Sequence, residues 1–169
     1  MLSVFDGLRD VTTLSVFVRL ACALICGGII GIERSYKRRP AGFRTHILIC
    51  IGAAITTLTS QYLYLNMHYF TDMARLGAQV VAGIGFIGAG TIIVTKRQRV
   101  KGLTTAAGLW TSAIIGLTFG GGFYEGGILA TVFIMLAERV FSRIEYRVLE
   151  NVPEINLYME YEDKHCLDD

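Results

Sequence analysis

Residues Val16 to His46 read VFVRLACALICGGIIGIERSYKRRPAGFRTH. The run from Val16 to Ile32 holds one charge, Arg19, and the stretch after it carries Glu33, Arg34, Lys37, Arg38, Arg39 and Arg44. About 20 apolar residues of helix cross the hydrocarbon core of a bilayer. Lipid offers the backbone no hydrogen-bond partner, so a helix is how a single run satisfies its own amides. The run therefore predicts a membrane-crossing helix, and the basic stretch predicts a connection retained on the cytoplasmic side.

Working outward, four more runs of similar length follow: Ile47 to Leu65, Leu76 to Val94, Leu103 to Phe119 and Phe123 to Phe141. The connection after the third run again carries a basic group, Lys96, Arg97, Arg99 and Lys101. Asn66 to Arg75 holds one basic residue, Gly120 to Gly122 holds none, and Arg139, Arg143 and Arg147 flank the end of the fifth run. Every connection agrees with an all-α polytopic membrane protein, a bundle of five transmembrane helices with the N-terminus outside and the C-terminus inside. Residues 1–150 are expected to form the transmembrane domain and 151–169 a cytoplasmic tail. A cleavable signal is not expected, because Asp6, Arg9 and Asp10 interrupt the N-terminal segment.

Composition narrows the function. With 169 residues, 53% hydrophobic, 18% charged and 19 glycines, the chain is unlike a water-soluble domain. A net charge of +2 argues against a nucleic-acid partner, which needs a concentrated basic surface. Cys22, Cys26 and Cys50 lie inside apolar runs and Cys166 in the tail, so no disulfide framework is read.

Small residues allow membrane helices to approach closely. Ala23, Gly27 and Gly31 recur every four residues in the first helix, as do Gly108, Ser112, Gly116 and Gly120 in the fourth. The third helix carries Ala78, Ala82, Gly85 and Ala89, and its run Gly83, Gly85, Gly88, Gly90 has the letters of a dinucleotide fingerprint. That motif requires a strand before it and an acid about 20 residues on. Leu103 to Thr105 stand there instead, so close helix packing is the expected role. Three such stripes also fit a homodimer. An offset of 60 residues lays the first two helices on the third and fourth, matching Gly28 with Gly88, Gly42 with Gly102 and Thr45 with Thr105. This predicts a parallel internal repeat.

Polar residues within spans are candidates for function. Asp72, Arg75 and Gln79 share one face at the outer end of the third helix, with helix capping and an Asp72–Arg75 pair as the alternative role. Arg19 is the expected partner of Gln79. At the inner end Glu33, Arg34, Arg44, Thr45, His46, Thr104 and Thr105 come to one depth. They form either an interfacial belt or a polar vestibule where Glu33 and His46 meet a cation, a proton or a partner. Tyr62, Tyr64, Tyr69 and Tyr124 are expected to form an outer aromatic belt.

The order Glu33-Arg34, Ala41 to His46, Arg75, Gln79-Val80-Val81, the Gly83 to Gly90 run, Gly102 to Ala107, Trp110, Gly116 and Tyr124 resembles the MgtC/SapB family of bacterial inner-membrane proteins. The resemblance implies adaptation to magnesium limitation, virulence in intracellular pathogens, and control of a membrane ATPase or the membrane potential. It also implies a C-terminal domain of ACT type, from which this chain departs: only Ile155 to Glu162 follows Pro153 as a single strand-like segment, the pattern of a truncated domain. Mg²⁺ favours several oxygen ligands in near-octahedral array. Glu33 and Glu138 lie at the inner face and Asp72 and Glu125 at the outer, leaving the middle of the membrane without a carboxylate. A regulator is therefore favoured, with a Mg²⁺ transporter or channel as the alternative. Mg²⁺ is expected as a ligand or sensed ion rather than a cofactor. No nucleophile stands at a spacing that suggests an oriented base, so an enzyme is not expected.

Overall fold

The computed structural model describes residues 3–69, 72–94 and 100–149. A short 3-10 helix, Ser3–Leu8, precedes α1 (Thr13–Tyr36), α2 (Phe43–Leu65) and α3 (Arg75–Gly90). A two-stranded hairpin of β1 (Ile93–Val94) and β2 (Val100–Lys101) leads into α4 (Leu103–Gly120) and α5 (Tyr124–Leu136). A π-helical turn, Ala137–Phe141, and α6 (Ser142–Leu149) follow. Two compact units are formed, one ending at Met135 and one beginning at Leu136. The tail strand expected at Ile155 to Glu162, and with it the division at residue 150, lies outside the described residues.

Local chemistry sets the helix starts. Thr12 and Ser15 form a reciprocal capping box, with Ser15 N–H donating to Thr12 Oγ1 at 3.2 Å and Thr12 N–H to Ser15 Oγ at 2.9 Å. Glycines precede both α2 and α4: Gly42 caps the one and Gly102 the other. Gly102 has φ +95°, a conformation a side chain would strain, and it sits directly against the Thr91 carbonyl.

α2 is wedged between α1 and α4. A Cβ at Gly31 would fall 2.7 Å from Phe43 Cα, and one at Gly27 would fall 2.9 Å from the His46 carbonyl, so the end of α1 lies against the start of α2. From the other side Gly116 meets the Cys50 carbonyl, and a Cβ at Gly120 would stand 2.5 Å from that of Ala54. Only hydrogen in place of a side chain allows these backbones to approach so closely. α3 lies on α4 through Gly88, which faces Ala106, and Gly77, which faces Leu117. The core between these helices is built from Ala23, Cys26, Ile30, Cys50, Ala54, Ile115, Phe119 and Tyr124, with a second cluster of Ala41, Ala53, Ile84, Leu109 and Ala113.

α1, α2 and α4 are each long and apolar enough to cross a membrane, and α3 is a shorter apolar helix of 16 residues. The third helix stops before the end of its apolar run. The expected span reached Val94, but the helix ends at Gly90 and Ile93 and Val94 pair antiparallel with Lys101 and Val100. Thr91 closes the helix by donating its hydroxyl to the Gly88 carbonyl at 2.8 Å. The β-branched run Thr91 to Val94 then favours extended backbone, a distinction that hydropathy alone does not make. The fifth run is likewise interrupted: regular α-helix ends at Leu136 and the π turn begins.

Candidate functional site

Most polar side chains buried in the first unit gather into two groups, one at each end of the helices; Ser112 and Thr131 lie between, donating to the Gly108 and Gly127 carbonyls of their own helices. At one end the start of α1 meets the ends of α2 and α4. Arg19 is fully buried there. Its guanidinium donates to Gln61 Oε1 at 2.7 Å, to the Gly120 carbonyl at 2.9 Å, to the Arg9 carbonyl at 2.5 Å and to the Leu8 carbonyl at 3.3 Å. Gly120 is the last residue of α4, whose terminal carbonyls carry the negative end of the helix dipole, so a cation caps it favourably. Arg9 lies alongside, 2.6 Å from Glu125 Oε1 and 3.2 Å from Asp6 Oδ1. The Asp6 hydrogen bond, then Glu125, hold the Arg9 pKa above the usual arginine value despite some desolvation.

Arg19 thus pairs with Gln61 of α2 and not with Gln79, the partner expected from depth. Gln79 and Arg75 on α3, and Asp72 just before it, are all exposed. The reason is the order of packing: α1 lies against α2 and α4, whereas α3 packs on the far side, against α4 and α2. Asp72 acts at the helix start, its Oδ1 accepting the Ala74 N–H at 2.9 Å. Tyr124 also departs from expectation. It is buried and not part of an aromatic belt, its hydroxyl donating to the Leu8 carbonyl at 3.1 Å and its ring stacked on Phe5 at 4.9 Å. Tyr62, Tyr64 and Tyr69 are exposed. The N-terminal 3-10 helix folds over Tyr124, a contact no local pattern announces. Gln61 and Ser60, which donates to the Met73 carbonyl at 2.7 Å, were both legible as polar residues inside an apolar run, the same signal that singled out Gln79.

At the opposite end the last turn of α1 meets the starts of α2 and α4. Glu33 and Arg34 are buried. Arg34 donates to Thr105 Oγ1 at 3.2 Å, tying α1 to α4. Glu33 Oε1 lies 2.6 Å from Lys37 Nζ, one turn on, while among the described residues neither Glu33 oxygen accepts a well-aligned hydrogen bond. His46 is fully buried, its Nδ1 2.9 Å from the Gly42 carbonyl. Glu33, Arg34, His46 and Thr105 are therefore brought into the protein, Thr45 is half-buried, and Arg44 and Thr104 are exposed. Among the described residues no group of three or more His, Cys, Asp or Glu side chains stands close enough to hold a metal ion.

The glycines divide in the same way. Gly27, Gly31, Gly88 and Gly116 meet neighbouring helices, and Gly108 is buried on α4. Gly83, Gly85 and Gly90, expected in packing, have open space where a Cβ would stand. Ile84 and Gly88 define the buried side of α3, and these three residues lie off it. Gly83 and Gly52 instead open an apolar groove of about 350 Å³ between α3 and α2, lined also by Leu48, Val80, Ile84 and Ile87.

The model of the MgtC family matches residues 20–147. YhiD of Escherichia coli K12, whose name proposes magnesium transport, is 42% identical over 141 residues, covering 81% of this chain and 65% of YhiD. MgtC of Brucella abortus is 42% identical over 131 residues, 78% of this chain and 52% of that protein. SapB of Bacillus subtilis is 36% identical over 126 residues, 72% of this chain and 54% of SapB. The chain thus spans between about half and two thirds of the length of these curated relatives. No solved structure matches it. The matched region takes in the Glu33 group and, of the other group, Gln61, Gly120 and Glu125 but not Arg19, and with this match over residues 20–147 the chain belongs to the MgtC family.

Proposed function

We propose that the chain is a multi-pass protein of the bacterial inner membrane that regulates adaptation to low magnesium by binding another membrane protein, such as an ATPase, through its helices. In this reading all five apolar helices α1 to α5 cross the bilayer, N-terminus outside, with the Glu33 group facing the cytoplasm. One observation carries the regulatory role: no other part of the described chain fills the space beside Gly83 and Gly90, which share one side of α3 with Phe86 at 84% exposure. Glycines with no internal packing duty, next to a projecting aromatic ring, suit close approach by a second helix. The buried charges, by contrast, are engaged within the chain, Arg19 with Gln61 and backbone carbonyls, Arg34 with Thr105 and Glu33 with Lys37.

The second reading, Mg²⁺ transport, is favoured by the name of the relative YhiD. Two measurements separate them. Purified chain in sealed liposomes holding a Mg²⁺-sensitive dye is expected to give no uptake above empty liposomes; uptake would overturn the regulatory reading. Gly83→Leu is expected to abolish growth in low magnesium while leaving the abundance of the protein unchanged, and normal growth of that variant would remove the α3 face from the mechanism.

A further inference from the structure

The second unit has a surface of its own. Arg139, Arg143 and Arg147 recur every four residues, and so do Val140, Ile144 and Val148; all six are exposed. Residues four apart share a helix face, so the segment carries a row of guanidinium groups beside a row of aliphatic side chains. Three arginines with Val140 and Ile144 line a shallow depression of about 470 Å³. The acids of the segment, Glu138 and Glu145, are seven residues apart and make a separate row in the sequence.

The character of the chain changes at the π turn. α5 exposes Ile128, Leu129, Val132 and Phe133 along one side while Tyr124, Gly127 and Thr131 are buried on the other, and an apolar face of this kind belongs in hydrocarbon or a core. From Ala137 on, apolar and basic residues segregate to separate faces, the mark of a helix that lies in the membrane interface. A straight continuation of α5 into water would leave the row Val140, Ile144 and Val148 exposed and unburied.

From this juxtaposition we infer that Ala137–Leu149 is an interfacial helix that docks on anionic phospholipid headgroups. Val140, Ile144 and Val148 enter the acyl boundary, and Arg139, Arg143 and Arg147 engage the phosphates along its edge. Charge complementarity selects the occupant: planar guanidinium forks match phosphate oxygens in pairs. The segment follows α5 directly in the chain, and its place at the interface rests on the proposed crossing of the bilayer by α5. The inference does not depend on whether the protein regulates or transports.

The test uses the full chain reconstituted into vesicles of phosphatidylcholine alone or with phosphatidylglycerol. Trp110→Phe removes the only native tryptophan and Ile144→Trp supplies a single reporter. In phosphatidylglycerol vesicles the reporter is expected to emit at short wavelength, to be quenched by brominated lipid and to be shielded from aqueous acrylamide. In phosphatidylcholine it is expected to lie in water. Each basic residue favours an anionic surface roughly fivefold, so Arg139→Gln, Arg143→Gln and Arg147→Gln together should lower the docked-to-free ratio on the order of 100-fold. The corresponding lysine variants should retain most of it. Raising salt on the unsubstituted arginine row should release the reporter, which tests the idea even if the glutamine variant misfolds. Equal protection in both vesicle types, protection that survives the glutamine changes, or protection by inorganic phosphate in phosphatidylcholine vesicles would each overturn the inference.

Discussion

The pairing of Arg19 with Gln61 offers the sharpest test of the packing order. Arg19→Met removes a buried guanidinium and leaves the Arg9 and Gly120 carbonyls and Gln61 Oε1 without their donor, while the Leu8 carbonyl keeps the Tyr124 hydroxyl. Hydrogen bonds to a charged group are worth about 1.5–3 kcal/mol each. Relief from burying the charge, several kcal/mol, works the other way. Each neutral acceptor left buried and unpaired costs about 1–3 kcal/mol, so the net loss is on the order of a few kcal/mol. The desolvation term cancels in a double-mutant cycle, which isolates the pair. Cross-helix hydrogen bonds in a membrane protein average about 0.6 kcal/mol and reach about 1.7. A charge-assisted bond of 2.7 Å should lie at the upper end, about 1.5 kcal/mol. Reversible unfolding in mixed detergent micelles, followed by circular dichroism for Arg19→Met, Gln61→Leu and the double variant, gives the coupling. The same cycle with Gln79→Leu should give zero within error. Coupling of Arg19 to Gln79, or none to Gln61, would refute the arrangement in which α2 and α4, and not α3, flank the start of α1.

Other expectations follow from the same contacts. Gly120→Ala drives a Cβ into the Ala54 backbone and should cost about 1–3 kcal/mol, whereas Gly83→Ala meets nothing within the chain and should gain up to about 1 kcal/mol from helix propensity, both read from unfolding in micelles. Lys37→Met strips the buried Glu33 carboxylate of its ion pair and should lower stability by about 1–2 kcal/mol, discounted because Lys37 is partly exposed; adding Glu33→Gln should restore most of the loss in the same measurement. The Arg9 pKa is raised in the folded protein, so its contribution is complete below the unfolded arginine value and is lost only as pH climbs through the raised one. Melting temperatures up to about pH 10 should therefore show no transition that Arg9→Gln removes.

Hydropathy located the helices well because α1, α2 and α4 are continuous apolar runs bounded by charge or glycine. It failed at Thr91 to Val94, where apolar residues belong to a hairpin, and at Leu136, where the fifth run gives way to a π turn. The contribution of depth was similar. Arg34 and Thr105 share a level in the sequence reading and meet in the structure, while Arg19 and Gln79 share one and do not. Depth along the membrane normal follows from position in a run, but neighbourhood across the bundle depends on which helix faces which, and no single run encodes that.

The sequence by itself determined that this is a membrane protein of the MgtC family, which apolar runs fall between basic connections, and which glycines are available for contact. These follow from transfer free energy and backbone hydrogen bonding, both properties of a segment taken alone. Only the tertiary structure decided that Gly27, Gly31, Gly116 and Gly120 clasp α2 while Gly83, Gly85 and Gly90 remain open, and that Arg19 is satisfied by Gln61 and the end of α4. Those outcomes depend on the mutual fit of helices distant in the chain, where a backbone approach of a few ångströms selects one neighbour and excludes another.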